Sequence, residues 1–198
     1  MNRVDIVIAG VGGQGTVLAS RVLAQAALNC GLPARTSETI GMAQREGTVQ
    51  SHVRIGLDDL GPVIPKQSAD ILLGFEPAEA QRASLLLKPS GKMIVNIHPI
   101  SPVTVALRGA AYPLAAVQEY LTNLPVTARL VNAFELAMAA GNFRTVNTVM
   151  LGMLAAEGTL PMPQSVILEV LLEMLPERVR EVNERAFRLG NEAMNPKI

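Results

Sequence analysis

Residues 4–30 read VDIVIAGVGGQGTVLASRVLAQAALNC, and this stretch decides the fold. It begins with a short run, residues 4–9, that is mainly apolar and β-branched, which suits a strand buried on both faces of a parallel sheet. A glycine-rich segment follows, and apolar residues then recur at a helical period until Gly31, with Pro33 just beyond. The stretch therefore predicts a buried strand, a tight glycine turn and a helix that ends near Cys30.

The turn between this strand and this helix fits the pattern G-x-G-x-x-G. Glycines allow close approach to the backbone, and the first turn of a helix offers unpaired N–H groups and a partial positive charge to phosphate or carboxylate. The alternative is that the glycines only let strand, turn and helix pack closely. On the first interpretation a valine at Gly13 would clash with the turn and abolish anion affinity. The candidate cofactor-binding residues are Gly10, Gly12, Gly13, Gln14, Gly15 and Thr16.

Length and composition predict one domain with a large core, because the chain has 198 residues and is 49% hydrophobic. We expect a single domain over residues 1–198, with an α/β core in 1–131 and a helical part in 132–198. The formal net charge is +0 and aromatic residues make up 3% of the chain. These values argue against binding to nucleic acid or to an anionic membrane surface.

The chain contains one cysteine, Cys30. It therefore forms no internal disulfide and no four-cysteine cluster site, and such cysteine usage suits a reducing cytoplasm. We expect no secretory leader and no membrane-spanning segment. The mean hydropathy of +0.29 is high for a water-exposed chain. It indicates that a partner covers part of the surface, or that the isolated chain forms a homodimer.

Further along the chain, short apolar runs alternate with helical patterns. This alternation predicts an α/β fold of the Rossmann-like, doubly wound type, with a mostly parallel sheet and additional C-terminal helices. Residues 88–91 read as a turn, and residues 101–113 have no clear pattern. The expected strands cover residues 34–38, 48–57, 70–75, 92–97 and 126–131, and the expected helices cover 76–87, 114–123, 133–140, 144–157, 164–175 and 177–195.

The strand predicted at 48–57 alternates between an apolar and a polar face. Its polar face would carry Gln50, His52 and Arg54. One interpretation is a solvated edge strand, and the other is a polar wall that meets a ligand or a partner. We favour the second, because the preceding segment, residues 39–47, is a glycine-flanked loop that leads directly into this strand.

The sequence contains no recognisable catalytic set. It has no H-E-x-x-H metal motif, no G-x-S-x-G elbow and no Gly-Lys-Ser/Thr of a phosphate-binding P-loop. Glu38 lies about twenty residues past the glycine turn, where a Rossmann dehydrogenase places its ribose-binding carboxylate. An NAD(P)-binding dehydrogenase and a non-catalytic nucleotide-binding module therefore remain alternatives.

Two motifs together resemble a known family. The glycine turn, followed by a helix of small residues, resembles the gamma-type domain of 2-oxoacid:ferredoxin oxidoreductases. The segment GMAQREGTVQSHVRIG, residues 41–56, is similar to the G-M-x-Q-R-x-G-x-V and H-V-R pattern of the beta subunits of indolepyruvate ferredoxin oxidoreductases. The likeness is firm over the N-terminal half and looser over the C-terminal helices.

The resemblance implies an accessory subunit in the oxidative decarboxylation of an aryl-pyruvate. Coenzyme A and oxidised ferredoxin would be consumed, and an aryl-acetyl-CoA, carbon dioxide and reduced ferredoxin would form. Thiamine diphosphate, Mg²⁺ and iron–sulfur clusters would belong to a larger alpha subunit, ferredoxin would be an indirect partner, and this chain would cover the site or contact coenzyme A. The implied substrate or partner contacts are Glu38, Gly41, Met42, Gln44, Arg45, Gly47, Ser51, His52 and Arg54.

Overall fold

Six strands and seven α-helices are found in the part of the chain that the structure, a computed structural model, describes: residues 3–41, 47–56, 61–100 and 111–195. The strands are β1 (Val4–Val11), β2 (Ala34–Ile40), β3 (Thr48–Ile55), β4 (Ala69–Gly74), β5 (Leu87–Asn96) and β6 (Thr127–Val131). The helices are α1 (Thr16–Asn29), α2 (Pro77–Ala83), α3 (Leu114–Thr122), α4 (Ala133–Ala140), α5 (Val146–Ala156), α6 (Gln164–Met174) and α7 (Glu177–Met194). Short 3₁₀ turns cover Ser84–Leu86 and Phe143–Thr145.

The strands form one sheet in the order β2-β3-β1-β4-β5-β6. Strands β1, β4, β5 and β6 are parallel, while β3 is antiparallel to both of its neighbours, β1 and β2. Five of the six strands therefore run in the same direction, and the prediction of a mostly parallel α/β sheet is confirmed.

Strand β3 is not an edge strand, so the interpretation of residues 48–57 as a solvated edge is wrong. It lies between β1 and β2, and His52 and Arg54 on its polar face are only 3% and 6% exposed. The strand also ends at Ile55, before the predicted boundary. Apolar and polar side chains do alternate along β3, but both faces of the strand are covered.

The sheet separates two hydrophobic cores, because successive side chains on a strand point to opposite faces. On β1, Ile6 and Ile8 pack with α1 and with the C-terminal helices α4–α7. Val7 and Ala9 face the other way and pack with α2 and α3. The helical part of the chain therefore shares its core with β1 and α1.

Residues 88–91 do not form the predicted turn, since β5 runs without interruption from Leu87 to Asn96. The pairing of β4 with β5 is irregular here: Ala69 pairs with Leu87, and pairing resumes only at Ile71 and Lys92. This irregularity accommodates Pro89 and Gly91, which ordinarily interrupt a strand.

Most other predicted elements are found within one to three residues of their expected ends. Asn132 caps α4 as predicted, with its side-chain oxygen accepting from the backbone N–H of Glu135 at 3.3 Å. Residues 101–110, which have no clear sequence pattern, lie outside the described residues. Within the described residues, none of the helices combines the length and the apolar character that a membrane-spanning segment requires.

Candidate functional site

The glycine turn connects the end of β1 to the start of α1. Gly13 and Gly15 have φ angles of +91° and +80°, a region that L side chains rarely adopt. The backbone N–H groups of Gly12 and Gln14 donate to Gly47 O at 2.9 Å and Val11 O at 3.2 Å. Among the described residues, the N–H groups of Gly13, Gly15 and Thr16 have no such internal acceptor, so these three remain as the candidate anion donors.

The glycines of the turn serve different purposes. A Cβ at Gly10 would lie 2.7 Å from Gln14 Oε1 and 3.1 Å from Phe75 Cβ, so this glycine permits close packing. Gly15 likewise packs against the Asn147 side chain on α5. A Cβ at Gly13 would meet no atom within 4 Å. The expected clash of a valine at Gly13 is therefore wrong: the cost there is the positive φ, and the space above the residue is open.

A cleft of about 470 Å³ opens beside the turn, at the carboxyl ends of β1 and β5. Open α/β sheets commonly bind ligands at this edge. The turn forms one side of the cleft, and the opposite side comes from the segments that begin α4 and α5. Its lining residues are Val11, Gly12, Gly13, Gln14, Asn96, His98, Ile100, Phe134, Phe143, Arg144 and Val146.

Three rings form a wall of this cleft. The ring centroids of His98 and Phe134 are 4.1 Å apart with an interplanar angle of 8°, and Phe134 and Phe143 are 6.4 Å apart. The sequence contains only four phenylalanines, and two of them meet here. A planar ring system can stack on such a wall.

The cleft favours an anion. None of its lining residues in the described part of the chain is a carboxylate, and the Arg144 guanidinium lies 5.8 Å from the centre of the Phe143 ring. The N-terminus of α1 has no side-chain cap, so its positive end remains available beside the turn. The 3₁₀ turn that leads into α5 is capped by the Asn142 side chain, which accepts from the backbone N–H of Arg144. A ligand with an aromatic ring and a phosphate or carboxylate would meet complementary groups.

No motif of the sequence predicts these lining residues as site residues: Asn96, His98, Phe134, Phe143 and Arg144. The signal for them is weak, because they come from separate segments. Asn96 and His98 follow a predicted strand to its end, but a histidine in such a position is more often structural than catalytic.

His52 lies on β3 opposite Val7, about four residues from the glycine turn along the sheet, and not in the cleft. Its Nδ1 accepts from the backbone N–H of Ile64 at 3.1 Å, so the neutral ring carries its proton on Nε2. His52 Nε2 lies 2.8 Å from Gln50 Nε2. Because two N–H groups cannot bond each other, we assign the Gln50 amide with its oxygen facing His52. Burial lowers the pKa of His52 below its ordinary value of 6.5, and the charge of Arg54 adds to this effect.

Arg54 lies still farther from the turn, opposite Asp5. Its Nε and Nη2 donate to the two carboxylate oxygens of Asp5 at 2.9 and 3.0 Å, and its Nη1 donates to Gly61 O at 2.8 Å. Burial acts to raise the pKa of Asp5, but the hydrogen bonds and charges of Arg54 and Arg3 outweigh it and lower the pKa below its usual value. Arg54 thus joins β1, β3 and the segment that begins at Gly61.

The other predicted contact residues in the described part of the chain are not among the lining residues of the cleft. Glu38 is exposed on β2 and accepts a hydrogen bond from Ser20 Oγ at 3.0 Å. Ser51, opposite Glu38, has a buried hydroxyl without a hydrogen-bond partner among the described residues. Gly47 contacts the turn through Gly12, and Gly41 N donates to Thr48 O at 2.7 Å. Met42, Gln44 and Arg45 lie outside the described residues.

A sequence profile described as "Pyruvate ferredoxin/flavodoxin oxidoreductase" matches residues 5–193 of the chain. A Thermococcus kodakarensis protein named indolepyruvate oxidoreductase subunit IorB is 39% identical over 195 residues, which cover 98% of this chain and 96% of that protein. An Archaeoglobus fulgidus protein of the same name is 39% identical over 197 residues, which cover 98% of this chain and 96% of that protein.

Solved structures show the same fold. The gamma subunit of a keto/oxoacid ferredoxin oxidoreductase from Geobacter sulfurreducens superposes with a TM-score of 0.73 at 24% identity, covering 98% of this chain and 99% of that one. A 2-oxoglutarate:ferredoxin oxidoreductase from Magnetococcus marinus, with 2-oxoglutarate, coenzyme A and succinyl-CoA bound, superposes with a TM-score of 0.76 at 20% identity. That match covers 100% of this chain and 32% of the longer one.

Proposed function

Since the chain belongs to the pyruvate ferredoxin/flavodoxin oxidoreductase family, we propose that it is the accessory subunit of an enzyme that oxidatively decarboxylates indolepyruvate and related aryl-pyruvates. In this reaction an aryl-pyruvate, coenzyme A and oxidised ferredoxin give an aryl-acetyl-CoA, carbon dioxide and reduced ferredoxin. The similarity to relatives named for indolepyruvate extends over nearly the whole chain, which supports this substrate class.

The redox and decarboxylation cofactors do not fit this chain. An iron–sulfur cluster is held by four thiolates or a close equivalent, and the sequence has one cysteine. The sequence also lacks the Gly-Asp-Gly…Asn pattern of a thiamine diphosphate magnesium site. We therefore assign thiamine diphosphate, Mg²⁺ and the clusters to a larger partner subunit, which would also pass electrons to ferredoxin.

The observation that carries a direct role for this chain is the cleft, which is lined by Gly13 of the turn, by Arg144 and by the aromatic wall. Coenzyme A has both complementary parts, an adenine ring and phosphates. The turn N–H groups and Arg144 would bind phosphate oxygens, and the wall of His98, Phe134 and Phe143 would stack the base. Gly12 and Gly13 are exposed at the turn, so a ligand can reach it.

The geometry favours this over an NAD(P)-dependent dehydrogenase. In a Rossmann dehydrogenase the ribose-binding carboxylate follows the strand next to the glycine turn. Here β3 lies between β1 and β2, so Glu38 is two strands away, roughly 9–10 Å across the sheet. Its carboxylate also accepts from Ser20 Oγ on α1.

The assembly is tested by producing the chain with and without the thiamine-binding large subunit. We expect formation of indoleacetyl-CoA and reduction of ferredoxin or a dye only when both subunits are present. The large subunit alone serves as the control for the contribution of this chain. Reduction of the dye by this chain alone, from indolepyruvate and coenzyme A, would contradict the proposal.

The coenzyme A contact is tested by Arg144→Ala in the assembled enzyme. Loss of one exposed charged hydrogen-bond donor should raise the KM for coenzyme A about tenfold and change kcat little. Arg178→Ala, on the exposed part of α7, is the matched control and should leave KM unchanged. An unchanged KM in Arg144→Ala would remove this cleft from the coenzyme A site.

A further inference from the structure

Two side-chain amides donate to the same carbonyl at the floor of the cleft. Gln14 Nε2 lies 2.9 Å from Phe75 O, and Asn96 Nδ2 lies 3.0 Å from the same oxygen. Phe75 directly follows β4 and is fully buried. The regular pairing of β4 with β1 and with β5 ends at Gly74, so the two amides continue the hydrogen bonding just beyond the strand ends.

The oxygens of the two amides reach the two sides of the cleft. Gln14 Oε1 accepts from the backbone N–H of Val11 at 2.8 Å, within the glycine turn. Asn96 Oδ1 accepts from the backbone N–H groups of His98 at 3.2 Å and of Ala133 at 3.1 Å. His98 and the residue after Ala133 carry the two stacked rings of the wall. A continuous series of hydrogen bonds therefore connects the turn to the wall.

The surroundings of this series keep both amides in place. Gly10 leaves the space that the Gln14 amide occupies. Asn96 is 1% exposed, and both its side-chain nitrogen and its side-chain oxygen have hydrogen-bond partners. A satisfied buried amide network of this kind is rigid, because breaking one bond leaves a buried polar group unpaired.

We propose that Gln14 and Asn96 act together as positioning residues, through the Phe75 carbonyl, and set the separation between the glycine turn and the His98–Phe134 pair. A ligand that must contact both sides would then depend on both amides, although Asn96 need not touch its phosphates. For coenzyme A this rests on the proposed function of the cleft. The link between the two sides is a property of the chain itself and is testable without any ligand.

The ligand-free test uses the only two histidines of the sequence, His52 and His98. Stacking on Phe134 shifts the ring-proton NMR signals of His98 upfield, and His52, on another part of the sheet, is the internal reference. We expect both Asn96→Ala and Gln14→Ala to move the His98 signals towards their unstacked positions. Gln25→Ala, which removes an exposed amide bonded to Asn29, is the control and should leave them unchanged.

The response to Gln14→Ala decides whether the turn and the wall are coupled, because Gln14 has no hydrogen bond to His98 or Ala133. If that variant folds and leaves the His98 signals unchanged, the two sides are not coupled and the proposal is overturned. Should either alanine variant fail to fold, Gln14→Glu and Asn96→Asp replace it. These changes keep the side-chain size and the accepting oxygen and remove the N–H that donates to Phe75 O.

The ligand test measures binding of coenzyme A, adenosine and pyrophosphate to the full chain by calorimetry. We expect Asn96→Ala to weaken coenzyme A binding about tenfold while pyrophosphate binding stays unchanged. The double variant Gln14→Ala/Asn96→Ala should lose less coenzyme A binding free energy than the two single variants lose together, since both amides act through one carbonyl. Additive losses would contradict the proposal.

If the wild-type chain binds none of the three compounds, the proposed coenzyme A contact fails. The positioning role then stands or falls on the His98 signals alone.

Discussion

At Gly13 the backbone conformation requires glycine, although the surrounding space would admit a side chain. Its φ is +91°, and a Cβ there would meet no atom within 4 Å. Holding an L residue in this region costs about 1–2 kcal/mol. The glycine is therefore needed for the path of the turn, and the open space above it is available to a ligand.

We predict that Gly13→Val lowers the free energy of unfolding by about 1–2 kcal/mol and weakens coenzyme A binding. Gly31→Val is the matched control, because Gly31 also has a positive φ and open space but lies at the other end of α1. Both variants should lose similar stability in urea unfolding. Only Gly13→Val should change the affinity measured by calorimetry, and equal affinities would argue against anion binding at the turn.

His52 connects β3 to the segment containing Ile64, and it does so only in its neutral form. Protonation would place a hydrogen on Nδ1, facing the N–H of Ile64 that now donates to it. Because the pKa of His52 is lower in the folded than in the unfolded protein, protons bind the unfolded state more strongly. The stability that this group contributes is present above pH 6.5 and is lost as the pH falls through the folded-state pKa.

We therefore expect the wild-type protein to lose more stability between pH 8 and about pH 5 than His52→Asn. The asparagine oxygen can accept from Ile64 in place of Nδ1, and it does not titrate. Urea unfolding of both proteins across this range measures the difference. If the free energy of unfolding changes with pH in the same way in both proteins, protonation of His52 does not weaken this contact.

At the scale of elements, α5 begins beside the cleft and packs very closely against α7. A Cβ at Gly152 would collide with the backbone of Phe187, and one at Gly190 would collide with the backbone of Val149. Both glycines therefore permit the two helix backbones to touch. Neither glycine is explained by helix propensity, which favours alanine by about 1 kcal/mol.

We predict that Gly190→Ala destabilises the protein by about 1–3 kcal/mol, despite the better helix propensity of alanine. The added methyl group has to push α7 away from α5, since the atoms it meets are backbone atoms. Glu181→Ala, at a position of α7 whose side chain is 87% exposed, is the control and should change stability little. A stabilised Gly190→Ala variant would show that the helices separate at low cost.

At the scale of the whole molecule, the sheet and the C-terminal helices share one core. Residues of β1 and α1 pack with residues of α4, α5, α6 and α7 in the same cluster. The helical part therefore has no separate core on which to fold. We therefore propose that the described helices after residue 132 belong to the same domain as the sheet.

We expect one cooperative unfolding transition. The two tyrosines, Tyr112 and Tyr120, report on the N-terminal part near α2 and α3, and the sequence has no tryptophan. Far-UV circular dichroism mainly reports on the helices, many of which lie after residue 132. Urea transitions followed by tyrosine fluorescence and by dichroism should coincide. Separate midpoints would mean that the helical part unfolds independently.

The sequence by itself determined the elements and the class of fold. Strand β1, the glycine turn and helix α1 follow from local patterns of apolar residues and glycines, and the alternation of strands and helices indicates a mostly parallel sheet. The family resemblance rests on two contiguous motifs and agrees with the full-length relatives. Local conformational preference and side-chain period are readable in a single chain because they involve neighbours in sequence.

Only the tertiary structure decided where β3 lies and what forms the cleft. The insertion of β3 between β1 and β2 buries His52 and Arg54 and moves Glu38 away from the glycine turn. The aromatic wall of the cleft joins residues that are up to 45 positions apart, from His98 to Phe143. Strand order and such contacts depend on which surfaces pack together, and no local pattern of the chain encodes that choice.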